Sequence, residues 1–233
     1  MPTPKKGYAI EGVKVPGVTT IIGRFKQSDA LIGWAAKCAR EGKNHNEVRD
    51  RAAAVGSAAH DLVERFLASD PLPKPSDVGE FYKLNAEDAK LASGAFKSWR
   101  SWYASLPSFE LEAQEVQLTH GKHRFGGTPD CVAIIDGKRC LLDWKTSKAV
   151  NDDHMIQAAT YRELWEWNMD KDNPIDRIII VHLHKSGKKA SEHEIDAEYC
   201  EQLWDIFLTM RRLYDKLDAV DMAKPKRWFK KGK

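Results

Sequence analysis

Residues 126–148 read GGTPDCVAIIDGKRCLLDWKTSK, in which two apolar runs, CVAII and CLL, are joined by Asp136-Gly137. Asp-Gly is a favoured two-residue hairpin loop, because both residues tolerate the left-handed backbone of a type I′ turn. Such a loop dictates register. Ile135 faces Lys138, Cys131 faces Leu142, and one step further out Asp130 faces Asp143. Directly opposed residues hold their Cβ atoms roughly 4.5–5.5 Å apart. Lys145, two residues on, shares the face of the acids, while Trp144 takes the other. The ribbon is therefore predicted to gather two carboxylates and one ammonium at its open end.

Opposed like charges destabilise a sheet, and apolar flanks that desolvate them leave their repulsion poorly screened. A divalent cation relieves the conflict. Oxygen ligands of this kind suit Mg²⁺ or Mn²⁺, which keep several waters and accept one or two carboxylates. Lys145 can stabilise the empty site and then orient or polarise a water. The alternative for these three residues is a structural Asp–Lys–Asp ion cluster at a sheet edge.

The rest of the 233-residue chain is long enough to bury a substantial core in one domain with a helical elaboration. PGVTTIIGRF, rich in β-branched residues, reads as a short extended segment. DALIGWAAKCAREG is helical, with Leu31, Trp34, Ala35 and Cys38 on one stripe and Gly42 as its stop. A second helix starts at Asn44, where Glu47 completes a possible capping box, and runs to about residue 69 with a kink near Gly56. After the break PLPKP, residues 77–105 read as one helical region with Phe81, Leu84, Leu91, Phe96, Trp99 and Trp102 among its apolar positions. FELEAQEVQLTH alternates as a strand, and the hairpin follows. A helix then spans Asp152 to Asn168. DRIIIVHLHK is a buried strand, KKASEHEID a polar edge strand, and residues 197–217 a last amphipathic helix. This order predicts an α/β fold, a mixed sheet flanked by helices with a helical N-terminal portion. We expect one domain over residues 1–221, helical over about 25–106 and sheet-containing over about 107–221.

No apolar run approaches the roughly 18 residues of a membrane span, and the N-terminus lacks the apolar stretch of a secretory signal. A cytoplasmic location is expected, or the host-cell cytoplasm if the chain is phage-encoded. Cys38, Cys131, Cys140 and Cys200 show no CxxC spacing, which argues for small buried hydrophobes rather than disulfides or a zinc ribbon. The last twelve residues, MAKPKRWFKKGK, hold six Lys/Arg and no acid, leaving a body with 31 basic against 34 acidic residues. Lys226 and Arg227 with Trp228 could follow a phosphate backbone and stack on bases, or simply form a solubilising tail.

Pro129-Asp130, followed by Asp143-Trp144-Lys145, resembles the signature of the PD-(D/E)XK nucleases. The surrounding segment is similar to their RecB-type branch, which includes the mitochondrial genome maintenance exonuclease and its phage and bacterial relatives. Four further stretches match in order: VPGVTTII at residues 15–22; GSAAHDLVERFL, carrying His60; Glu115; and QAATYRELWE, with Gln157 and Tyr161 as a QxxxY element on one helix face. The resemblance implies a restriction-endonuclease-like fold and a Mg²⁺- or Mn²⁺-dependent DNA exonuclease leaving 5′-phosphate and 3′-hydroxyl ends. It makes Asp130, Asp143, His60 and the Trp144 backbone carbonyl metal ligands and Lys145 and Glu115 catalytic. It gives Gln157 and Tyr161 contact with the nucleic-acid backbone, where Lys148 also falls. Without the resemblance His60 reads as structural, Glu112 competes with Glu115, and Gln157 and Tyr161 read as a surface glutamine and a core tyrosine. Some relatives hold an iron–sulfur cluster with one upstream and three downstream cysteines; only Cys200 follows the motif here, so none is expected. The expected partner is DNA, single-stranded or with a free end, with no membrane involved and protein partners unspecified. The helical N-terminal portion would roof the site, with Trp99, Trp102 and Tyr103 either stacking on bases or packing in the core. A structure-specific endonuclease on the same fold, and an inactive nucleic-acid-binding module, remain as rivals.

Overall fold

The Asp136-Gly137 dipeptide turns the chain as expected. In the computed structural model, which describes residues 7–26, 29–169 and 174–223, both have positive φ, 51° and 73°. They join β6 (Cys131–Ile135) to β7 (Lys138–Lys145) in the predicted register, from Ile135↔Lys138 out to Cys131↔Leu142. With β3 (Glu110–Gln114), β8 (Arg177–His182) and β9 (Ser191–Ile195) they form a five-stranded sheet of order β3-β6-β7-β8-β9. Only the β7/β8 pair is parallel. A parallel neighbour needs a crossover, supplied by α6 (Asp152–Asn168), whose N-terminus is closed by a capping box between Asn151 and His154.

Alternation along the central strands feeds two cores. Val132, Leu141, Ile178 and Ile180 pack on α6, α1 (Val18–Phe25) and α7 (Ala197–Ala223). Ala133, Leu142, Trp144, Ile179 and Val181 pack on α3 (His45–Leu67) and α5 (Ala86–Tyr103). Trp99 and Trp102 are fully buried here, edge-on to Trp144 at 6.0 and 5.7 Å. They are core residues and not a base-stacking platform. The mixed sheet between helical layers is the α/β architecture expected.

Several elements depart from the sequence reading. The PGVTTIIGRF segment is not extended; it forms α1, because Val18, Ile21 and Ile22 recur at helical spacing and are buried. Burial on one helix stripe outweighs the weak strand preference of β-branched residues. The extended pieces lie just before it, as β1 (Tyr8–Ile10) paired with β2 (Val13–Val15). FELEAQEVQLTH breaks into β3 and β4 (Leu118–His120) at Glu115, whose φ is 50°, and β4 pairs with β5 (Phe125–Gly127). Residues 77–105 split into α4 (Val78–Tyr82) and α5 at Lys83, φ 55°, with Asn85 capping α5 and Phe81 left half-exposed. Along α2 (Asp29–Arg40) only Cys38 of the expected stripe is buried. Helix α3 passes Gly56 without interruption, and Asn44 caps it through the Asn46 N–H without the reciprocal Glu47 bond. The last helix, α7, extends beyond 217 to Ala223. No helix among the described residues is long and apolar enough to cross a membrane.

Candidate active site

Asp143 follows Leu141 on the α6 side of the sheet and is wholly buried. Asp130 lies one residue before β6 begins and is 2% exposed. Its Oδ2 accepts the Trp144 backbone N–H at 2.7 Å, so a side chain continues the ladder where the β6 backbone has ended. In a strand, a residue's N–H and C=O point to the same side. The Trp144 carbonyl therefore also faces the end of β6, while its indole ring sits in the opposite core.

Helix α3 brings His60 to this sheet end. Gly56, one turn earlier, permits the approach: a Cβ there would lie 3.0 Å from Thr146 Oγ1. His60 Nδ1 stands 3.6 Å from Asp130 Oδ1. The left-handed residue that breaks β3 from β4 supplies the next group, since ligand atoms of His60, Glu115 and Asp130 all lie within 4.8 Å of one another. Glu112 is engaged elsewhere, with Arg139 at 2.7 Å. Lys145 Nζ is 2.5 Å from Asp143 Oδ2, off the hydrogen-bonding direction, so that contact is charge against charge.

The electrostatics are those of a crowded anionic pocket. Burial drives the Asp143 carboxyl up to about 6, against Lys145 and with Asp130 adding repulsion. Burial also pushes Asp130 up, but His60, Lys145 and the Trp144 N–H outweigh it and hold that carboxyl below its ordinary value. Glu115 is raised to about 8 by burial and then by the charges of Asp130 and Glu64. His60 Nδ1, Asp130 Oδ1 and Asp143 Oδ1 are buried without a hydrogen-bond partner. Buried polar atoms are rarely left so. Oxygen and imidazole donors converging without partners fit a divalent cation, with His60, Glu115 and Asp130 as the geometric triad and Asp143 beside it.

A cleft of about 480 Å³ opens beside this cluster, walled by α1, α3, the end of β7 and α6. Lys145, His60 and Gln157 line it. Gln157 Nε2 donates to the Tyr161 hydroxyl at 2.8 Å, and both are buried. Tyr161 leans on Gly127, where a Cβ would meet its ring at 2.6 Å. Lys148 is exposed and borders a neighbouring cavity. Lys226, Arg227 and Trp228 lie outside the described residues. Thr19 of α1, Lys26 just past its end, and Asp153 and His154 of α6 also line the cleft and escaped the sequence reading. Treating α1 as extended hid the first two; the position of His154 three residues after Asn151 was the available signal for the last.

The profile of the PD-(D/E)XK nuclease superfamily matches residues 33–228, a span that includes His60, Asp130, Asp143, Lys145, Gln157 and Tyr161. The chain belongs to this superfamily. Within the PD-(D/E)XK nuclease superfamily it is similar to human mitochondrial genome maintenance exonuclease 1, 29% identical over 177 residues, 73% of this chain and 48% of the relative. The mouse protein of that name is 29% identical over 100 residues, 40% of this chain and 30% of the relative. The chain thus spans about half the length, or less, of these curated relatives. Among solved structures, a candidate exonuclease from Eubacterium rectale aligns with 68% of this chain and 64% of its own, at TM-score 0.46 and 12% identity.

Proposed function

We propose that this PD-(D/E)XK superfamily chain is a Mg²⁺- or Mn²⁺-dependent deoxyribonuclease that hydrolyses phosphodiester bonds from a free end, preferring single-stranded DNA, in recombination, repair or replication. The observation that carries the reading is the convergence of Asp130, Asp143, Glu115 and His60 with unpartnered buried ligand atoms beside Lys145. These four side chains and the Trp144 carbonyl would hold the cation. When bound, it supplies charge stabilisation at the phosphoryl and leaving oxygens and a more acidic water.

The chain's own groups do the rest. Lys145 neutralises Asp143 in the metal-free protein, and its ammonium is placed to orient the attacking water or a phosphoryl oxygen. The Trp144 N–H fixes one Asp130 oxygen, leaving the other free to act as a ligand. The Gln157–Tyr161 pair, rigid because both members are buried, would position the DNA backbone at the cleft wall. Helices α1 and α3 wall the cleft on one side, and a strand with a free end would lie along them. Only Cys200 follows the motif, so the reading includes no iron–sulfur cluster, and the scattered cysteines without CxxC spacing place the protein in a reducing, cytoplasm-like compartment.

The test is one panel of end-labelled linear and closed-circular DNA, single- and double-stranded, with Mg²⁺, Mn²⁺ or chelator. Degradation of linear single strands, sparing circles and requiring metal, is expected. Equal cutting of circles would make the enzyme an endonuclease. No cleavage under any condition would reduce it to a binding module.

A further inference from the structure

Thr146 and Ser147 line two cavities at once. One is the active-site cleft; the other, of about 240 Å³, is walled by Lys148, His184 and Lys185. A third, of about 430 Å³, begins at Lys185 and Ser186 and continues along α5 past Lys97 and Lys90. Successive cavities share two lining residues each, so they lie side by side as a row, here called a trough, from the cleft to α5.

The trough is built into the packing. Gly94 and Ser98, one turn apart on α5, receive the β8–β9 connection. A Cβ on Gly94 would lie 2.0 Å from the Lys185 carbonyl oxygen, so only glycine allows that contact. Ser98 Oγ accepts the His184 N–H at 2.9 Å, and the Ser98 carbonyl accepts the Ala190 N–H at 3.3 Å. His182 Nε2 lies 2.7 Å from the Ser147 carbonyl and ties the two rims together. Lys185 and His184 are thereby held at set positions on the wall.

The charge on this wall has one sign. Among the described residues no Asp or Glu lines the second or third cavity, and none of Lys90, Lys97, Lys148 or Lys185 makes an ion pair. Asp88 acts on Lys185 from nearby, but Arg51 already binds it with two N–H donors at 2.9 Å. Among the described residues, no aromatic ring other than the two imidazoles lines these cavities. Spaced cations without acids or stacking surfaces suit a ligand with repeating negative charge, gripped by backbone and not by base.

We propose that the trough is the path of a nucleic-acid strand outside the cleft, with Lys148, His184, Lys185 and Lys97 taking successive phosphates. The proposal rests on the nuclease reading for the identity of the polyanion. It makes the β8–β9 connection and α5, elements remote in sequence from the DxK motif, part of the substrate surface.

The test is binding of a fluorescent oligothymidylate of roughly 20 nucleotides, in chelator, across a salt series. The proteins are the parent, a Lys97→Gln/Lys185→Gln double variant and a Lys138→Gln control. Lys138 sits beside the hairpin turn, seven residues along β7 from Lys145 and so about 23 Å away. We expect the double variant to bind about tenfold more weakly near 0.1 M salt, its log–log salt slope shallower by about 1.4, two single-strand phosphate contacts. Lys138→Gln should match the parent. Affinity and slope in the double variant equal to those of the control would overturn the proposal. Lys97→Gln alone, at an exposed helical position, carries about half the slope change and keeps the measurement decisive if the Lys185 position proves necessary for folding. Parent cleavage of the same oligonucleotide with Mn²⁺ is scored separately, so a failed nuclease reading shows as binding without cleavage.

Discussion

Asp130 Oδ2 accepts the Trp144 backbone N–H at 2.7 Å, and this one contact ties the end of the central strand β7 to the anionic cluster. One oxygen serves architecture and the other, Oδ1, is left without a hydrogen bond 3.6 Å from His60. Asp143 has no such structural bond. Two acids that look alike in the motif therefore differ in what their removal does.

Asp130→Ala should lower metal-free stability by about 1–3 kcal/mol, because it strands a buried backbone N–H. Asp143→Asn, nearly isosteric, should leave the metal-free melting temperature unchanged or raise it, since a buried charge is removed. Both, and Lys145→Ala, should cut DNA hydrolysis by at least about 100-fold, because even outer partners of metal ligands are worth roughly 10–100-fold. Thermal melts in chelator and rates on end-labelled single strands check this. Parent-like rates in any of the three would remove the assignment.

Glu115 is raised to about 8, so its proton is bound more tightly in the folded chain than at its ordinary value of 4.5. Between those values the unfolded state has released the proton that the folded state keeps, and stability falls as pH rises. Glu115→Gln should match the parent below about pH 4.5, become progressively more stable than it as pH rises to about 8, and keep a constant advantage above that. Melting curves in chelator over that window give the answer, each kcal/mol reading as about 2–4 °C. A difference that does not vary with pH would place Glu115 outside the anionic cluster.

Divalent cation should stabilise the folded parent, by about 2.7 kcal/mol at a hundredfold excess over its dissociation constant. The rise in melting temperature with Mn²⁺ should vanish in Asp130→Ala and in a His60→Ala/Asp143→Asn double variant. A full Mn²⁺ response in either would put the cation elsewhere.

Trp99 is wholly buried against Trp144 and Phe66. Trp99→Ala should cost about 3–5 kcal/mol in denaturant unfolding, while oligonucleotide affinity of the folded fraction stays at the parent value. Lost affinity with retained stability would return Trp99 to a base-stacking role.

Gly127→Ala tests how closely β5 passes Tyr161, since the added Cβ would meet the ring at 2.6 Å. Overpacking of this kind costs about 1–3 kcal/mol. Because Tyr161 holds Gln157 in the cleft wall, activity should fall with stability. An unchanged melting temperature would show that the tyrosine moves aside freely.

The hairpin, its register, the helix over 152–168 and the Asp130–Asp143–Lys145 grouping were legible in the amino-acid order, because each follows from local rules: turn dihedrals, period-two alternation and helical spacing. The α1 segment was not. Val18, Ile21 and Ile22 fit either a strand or a helix until α6 and α7 offer a groove for one stripe. Nor could the order of residues choose between Glu112 and Glu115, or tell whether Trp99 stacks on bases. Those outcomes depend on which side chain a left-handed backbone at residue 115 aims inward, and on which helix lands over Trp144. The β8–β9 connection is seated on α5 by Gly94 and Ser98, far away in the chain. Local chemistry writes the ligands into the sequence; long-range packing decides which of them meet, because burial energy belongs to the assembled surfaces and not to any one segment.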